Sequence, residues 1–185
     1  MTVIRKPEKT YSAPPEGLWP AICVDEVDLG LQPTQWGPKY KVELRFQLDV
    51  TDDDGKSLVD PKNGHPYIVR QRFTASLGEK SKLRPILESW RSKKFTKAEL
   101  EAFDIGVLVG VCAQVQVVHN VADDGEVYGN ISAIVPYPKG VPKLTVDPSY
   151  TREKDRTQRQ EYGRTAAASA GAIASYKGMD EDVPF

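Results

Sequence analysis

From Lys39 to Val50 the chain alternates strictly: Tyr40, Val42, Leu44, Phe46, Leu48 and Val50 share one parity, and Lys39, Lys41, Glu43, Arg45, Gln47 and Asp49 share the other. Successive side chains of an extended strand point to opposite faces, so this segment is expected to be a strand with one face in a core and the other in water. A half-buried strand is stable only within a sheet that covers its apolar side, so the rest of the chain must supply partners. An all-helical fold is excluded.

Four further segments read as strands. Leu18 to Val27 carries Trp19, Ile22, Val24 and Val27, ends at Asp28 and Gly30, and has Pro20 near its start, where a missing donor is tolerated. Tyr67 to Thr74 places Val69 and Phe73 inward and Arg70 and Arg72 outward, while Tyr40 and Tyr67 fall on inward parity as core or rim. Val111 to Val121 alternates Ala113, Val115 and Val117 with Gln114, Gln116 and Val118. After a tight turn at Asp124-Gly125, Val127 to Val135 is expected to put Ile131, Ala133 and Val135 inside and Tyr128, Asn130 and Ser132 outside. Residues 51–66 hold the turn pairs Asp54-Gly55 and Asn63-Gly64 and read as a long loop or small hairpin.

Between the third and fourth strands the period changes. Leu83, Ile86, Leu87 and Trp90 are spaced as one face of a helix, with Ser81 placed to cap it. Thr96-Lys97-Ala98-Glu99 has the capping-box pattern, with Leu100 and Phe103 forming a short apolar stripe behind it. Three strands, a helical connection and a two-strand hairpin give an all-β fold: a five-stranded OB barrel with its helix between strands three and four. A small sandwich with a helical insert uses the same elements.

At 185 residues the chain has room for one domain and a tail. Residues 1–16, with Pro7, Pro14 and Pro15, read as a flexible arm, 17–140 as the barrel domain, 141–179 as a flexible linker and 180–185 as an acidic tip. Met1 to Thr10 lacks the apolar core of a signal peptide and no run of 18 apolar residues occurs, so a cytoplasmic protein without membrane contact is expected. Cys23 and Cys112 stand far apart in apolar runs and read as plain buried thiols; Trp19 and Trp90 read as core. No metal, cofactor or catalytic residue is expected. Gly55-Lys56-Ser57 lacks a phosphate loop's earlier glycine, since Val50 stands there, and as a calcium loop the segment would begin at Val50 and end at Pro61. His65 and His119 have no Cys or His at ligand spacing. An enzyme is therefore not expected.

The candidate site lies on the wet face of strands two and three, where an OB barrel presents its groove. Lys39, Lys41, Arg45, Arg70 and Arg72 would form a cationic track for phosphates, Trp36 and Tyr128 would offer flat faces to unstacked bases, and Gln114 and Gln116 would reach bases or phosphates. The net charge of −1 does not oppose this, because the acids cluster at Asp25/Glu26/Asp28, Asp52-Asp53-Asp54 and Asp123-Asp124. The expected ligand is single-stranded DNA held with little sequence preference. At the other end, Asp180-Glu181-Asp182-Val183-Pro184-Phe185 combines steering charge, a stiffening proline and a terminal phenylalanine able to fill a partner's apolar pocket.

That tip closely resembles the acidic C-terminal tip of bacterial single-stranded DNA-binding proteins. The domain is similar, over roughly residues 17–140, to the OB-fold single-stranded DNA-binding proteins of tailed phages, through Leu18-Trp19-Pro20-Ala21, Gln35-Trp36-Gly37-Pro38-Lys39, Val117-Val118-His119-Asn120 and Tyr128-Gly129-Asn130-Ile131. The resemblance implies coating of unpaired DNA during phage replication, recombination or repair in the cytoplasm of the infected bacterial host. It also implies capture of replication, recombination or repair proteins by the tip, and homo-oligomers are compatible with it. The 51–66 excursion and the second helix have no counterpart in the bacterial proteins. The competing expectation is a phage adaptor that uses the barrel for protein contacts and the tip to capture host replication proteins.

Overall fold

The alternating segment forms β2 (Lys39–Leu48), antiparallel to β1 (Gly17–Gln32) on one side and to β5 (Ile68–Thr74) on the other. The computed structural model describes residues 13–123 and 125–156. Strands β6 (Cys112–Val121) and β7 (Val127–Pro136) complete a five-stranded antiparallel sheet of order β5-β2-β1-β6-β7. The 51–66 excursion begins as a small hairpin of β3 (Val50–Thr51) and β4 (Ser57–Leu58). Between β5 and β6 lie α1 (Leu83–Arg91), α2 (Lys97–Glu101) and a 3-10 turn (Ile105–Leu108).

The inward parity of β2 is buried as its pattern requires: Val42, Leu44, Phe46 and Leu48 pack with Ala21, Cys23, Val69, Phe73, Val115, Val117 and Ile134. Each such aliphatic or aromatic side chain contributes about 1.5–3 kcal/mol when removed from water. The α1 stripe closes this core. Leu83, Leu87 and Trp90 are buried, the Trp90 ring lies 5.4 Å from that of Phe46, and its indole N–H donates to the Cys112 carbonyl at 2.9 Å. Trp19 is half-buried against the core, and its indole N–H donates to the Pro15 carbonyl. Ser81 Oγ accepts from the Leu83 N–H at the start of α1, and Thr96 and Glu99 form a complete capping box on α2. Cys23, buried, and Cys112, half-buried, form no disulfide; their thiols donate to the Asp25 carbonyl at 3.7 Å and to the Leu144 carbonyl at 3.9 Å.

Four expectations are corrected. First, β1 does not end at Val27 but continues through Asp28 and Gly30 to Gln32. Register shifts at Cys23/Asp25 and Asp28/Gly30 absorb its breaks in alternation as β-bulges. Second, another shift lies in the β6–β7 ladder, where Gln116 faces Ala133 and Val117 faces Ile131. Ser132 is the extra residue, so the phase of β7 flips beyond it. Ile131 and Ile134 pack inward, while Ala133 and Val135 stand opposite Gln116 and Gln114 on the outer face.

Third, no ladder joins β5 to β7 among the described residues, so the sheet is open where a closed barrel was expected. α1 packs against β7, and Ile86 and Ile131 both line the gap between the two edges. Fourth, the segments flanking the sheet are not all arm or linker. At the front, the His119 backbone N–H donates to Glu16 Oε1 at 2.6 Å, and its ring Nε2 meets the Pro14 carbonyl at 2.8 Å. At the back, residues 143–150 belong to the same unit as the sheet. From Thr151 a second unit begins, in which residues 153–156 form a helical turn, the N–H groups of Asp155 and Arg156 donating to the Arg152 carbonyl.

Candidate nucleic-acid interface

On the outer wall of β2 and β5 the register sets Arg45 opposite Arg70, Glu43 opposite Arg72 and Lys41 opposite Thr74. Alternation puts all of these outward, but the wall is not uniformly wet. Glu43 is 1% exposed, with Oε1 accepting from Arg45 Nε and Oε2 from Arg72 Nε, both at 2.9 Å. Burial raises the pKa of Glu43, yet the hydrogen bonds and charges of Arg72 and Arg45 outweigh that and hold it below the usual glutamate value. Arg45 also faces Asp25, with Nη1 at 3.8 Å from Oδ2 and only 15% of its side chain exposed. Asp25 is itself fully buried and accepts from the Tyr150 hydroxyl at 3.1 Å and from the Glu26 N–H. Burial pushes the Tyr150 pKa up; a hydrogen bond with Arg45 opposes it and the charge of Asp25 adds to it.

The five cations expected to act alike therefore divide. Arg45 is enclosed by two carboxylates and a tyrosine, so the expectation that it lies open to phosphate is corrected. Arg72 gives its Nε to Glu43 but leaves 67% of its side chain exposed, and Arg70, Lys39 and Lys41 reach solvent to differing degrees. Arg70 and Lys39 are exposed, whereas Lys41 is intermediate.

The covering of the wall by residues 143–150 is the feature that periodicity could not reveal. Gln47, on the wet parity, is 8% exposed; its Nε2 donates to the Thr145 carbonyl and its Oε1 accepts from the Asp147 N–H at 2.8 Å. Asp147 is held below the ordinary aspartate value by hydrogen bonds from Ser149 and, more weakly, by His65, whose Nδ1 is 3.6 Å away. Ser149 Oγ closes the contact at 3.1 Å from His65 Nδ1. Tyr150 then reaches Asp25, so one end of the outer wall is strapped while the end bearing Lys39, Lys41 and Arg72 stays open.

At that open end the loop 33–38 presents Trp36. The Gly37 N–H donates to the Thr34 carbonyl at 3.0 Å and the Trp36 N–H to Thr34 Oγ at 3.2 Å, a tight turn that needs the left-handed φ of +92° at Gly37. The indole is 78% exposed, and the loop leads directly into Lys39. Tyr40 is 49% exposed at the rim; its hydroxyl donates to Asp28 at 3.0 Å, and that bond followed by the aspartate's charge raises its pKa.

The remaining candidates stand elsewhere on the sheet. Gln114 and Gln116 are half-buried opposite Pro20 and Leu18 at the start of β1, whereas Lys41 and Lys39 face Gly30 and Gln32 at its end. Tyr128 sits beside the β6–β7 turn, exposed, with its hydroxyl on Glu126 at 2.6 Å. The tip residues Asp180, Glu181, Asp182, Val183, Pro184 and Phe185 lie outside the described residues.

A groove of about 730 Å³ opens between the edges of the sheet. Lys39, Lys41 and Arg72 line it together with Lys80 and Lys82, which sequence reasoning passed over. Only their spacing ahead of the α1 stripe could have drawn attention to them, because nothing in the sequence brings residues 80–82 near β2. Among the described residues no group of three or more His, Cys, Asp or Glu is placed to hold a metal ion, and no helix is long and apolar enough to cross a membrane. Searches with this sequence matched no protein-family model and no curated protein.

Proposed function

We propose that the chain binds single-stranded DNA with little sequence preference, on an OB-type barrel whose edge strands β5 and β7 face each other across the groove. The observation that carries this reading is the joining of Lys39, Lys41 and Arg72 in one groove, with the exposed indole of Trp36 in the loop that leads into them. Phosphates of an unpaired strand would engage the cations while a base stacks on the indole, an interaction open to any base because every base has a π-face. The barrel reading is supported by a groove wall that takes Arg72 and Thr74 from β5 and Ser132 from β7. The tip would serve as a tethered ligand for replication, recombination or repair proteins, its three acids steering Phe185 toward a basic-rimmed apolar pocket.

The test is fluorescence titration of the native chain and of Trp36→Ala with oligothymidylate at low salt. Quenching by the native chain's ligand should come largely from Trp36, because Trp90 is 5% exposed and Trp19 half-buried. Losing one stacked base should weaken binding by about 1–3 kcal/mol. Equal affinity and equal quenching in Trp36→Ala would remove this loop from the interface.

A further inference from the structure

We propose that the DNA path leaves the outer wall and enters the groove between β5 and β7, where Lys80 and Lys82 bind phosphates; this rests on the single-strand reading above. The two lysines share the groove with Lys39, Lys41 and Arg72, so five cations converge on it from β2, β5 and the turn before α1. Among the described residues no carboxylate lines it; Glu79 lies in the same turn but is not part of the wall. The four lysines, with Arg72 whose charge is shared with Glu43, raise the local potential of the cavity, a cost offset when a polyanion enters.

The turn that carries the lysines is well braced. The Ser81 N–H donates to the Gly78 carbonyl at 2.9 Å, the Gly78 N–H donates to Ser76 Oγ, and the Ser81 hydroxyl donates to the Ser76 carbonyl. Lys80 and Lys82 therefore project from a fixed frame, both exposed. The first turn of α1 behind them holds no acid, so the positive end of its dipole adds to the same field. The floor is apolar, with Phe73, Ile86 and Ile131, and its volume falls within the range of about 300–1,000 Å³ typical of ligand pockets. A phosphodiester with its attached sugar or base matches a cationic rim over an apolar floor, and that rim includes Lys39 and Lys41, which follow the Trp36 loop in the chain.

The experiment compares the full chain with Lys80→Ala/Lys82→Ala and with Lys93→Ala/Lys94→Ala, a control pair of exposed lysines past the end of α1 and outside the groove. Each is titrated with oligothymidylate over a range of salt, after circular dichroism shows an unchanged fold. Losing two phosphate contacts should lower the slope of log affinity on log salt by about 1.4, so that a threefold rise in salt weakens Lys80→Ala/Lys82→Ala about fivefold less than the native chain. The control should keep the native slope. If the native chain binds but Lys80→Ala/Lys82→Ala keeps its slope, or the control loses as much, the groove inference is overturned while the single-strand reading stands. If polyglutamate binds the native chain as tightly and loses affinity only in Lys80→Ala/Lys82→Ala, the groove takes an acidic peptide and the inference is overturned. If the native chain binds no oligothymidylate at low salt, the single-strand reading fails and takes this one with it.

Discussion

A glutamate with 1% of its surface exposed is costly to desolvate, and the Arg45–Glu43–Arg72 arrangement offsets that cost only while all three charges are present. Glu43→Ala should therefore destabilise the domain by about 3 kcal/mol, read as a lower urea midpoint, because it removes the carboxylate that accepts from the mostly buried Arg45 and from Arg72. The pH dependence has a fixed sign. The folded-state pKa of Glu43 lies below its unfolded value, so its ion pairs contribute fully above the ordinary glutamate range and are lost as pH falls through the depressed value. Glu99, held down to about 2 by the Thr96 N–H and by Arg91, behaves the same way on α2. Thermal unfolding followed from neutral pH toward pH 3 should show a shallower acid decline in Glu43→Gln than in the native chain; superimposable profiles would show that the buried pair does not couple to folding. The sequence makes Arg45 and Arg72 look equivalent, two outward cations on neighbouring strands. What separates them is the position of Asp25 and Tyr150, which come from residues far away in the chain.

At the scale of elements, the parts governed by local pattern were the legible ones. Alternation located β2 and its core face, the spacing of Leu83, Leu87 and Trp90 located the buried side of α1, and Thr96 with Glu99 located the start of α2. The misread parts are those where one residue changes the phase or a distant segment changes the solvent. The bulge at Ser132 reverses the later half of β7 without altering its composition, and the bulges of β1 let it pass Asp28 and Gly30. The site was legible in part for the same reason. Lys39, Lys41 and Arg72 come together through β2 and its direct neighbour, with Trp36 in the loop just before Lys39, whereas Lys80 and Lys82 join them only because the α1 connection folds back over the sheet edge. A close backbone approach gives a further test at this scale. A Cβ on Gly129 would lie 2.9 Å from the Pro14 ring, which cannot swing away as a flexible side chain would. Gly129→Ala should cost about 1–3 kcal/mol through overpacking and should speed amide exchange at His119, whose N–H is held by Glu16. Native-like exchange at His119 would mean that residues 13–16 tolerate the displacement.

For the whole molecule, the strap formed by residues 143–150 sets where the unit that holds the sheet ends. A chain stopped at residue 150 should keep the native urea midpoint. One stopped at 140 should lose at least about 2 kcal/mol, since Gln47 and Asp25 would be left with buried groups lacking the Thr145, Asp147 and Tyr150 partners. Equal midpoints for the two chains would show that the strap adds nothing to folding. The same strap limits the open wall to the end that carries Trp36, Lys39, Lys41 and Arg72, which is where the groove lies. On the proposed reading the overall charge of −1 matters less than its placement, because the acidic tip would compete with DNA for the basic groove. Removing residues 180–185 should leave oligothymidylate binding equal or slightly tighter, and weaker binding would contradict this role for the tip.

The most direct test of the account is a titration of the intact native chain with oligothymidylate at several salt concentrations. The account predicts micromolar or tighter binding at low salt that weakens steeply as salt rises, the signature of counterions released from phosphates by lysine and arginine. Absence of binding at low salt, or an affinity that salt leaves unchanged, would contradict it.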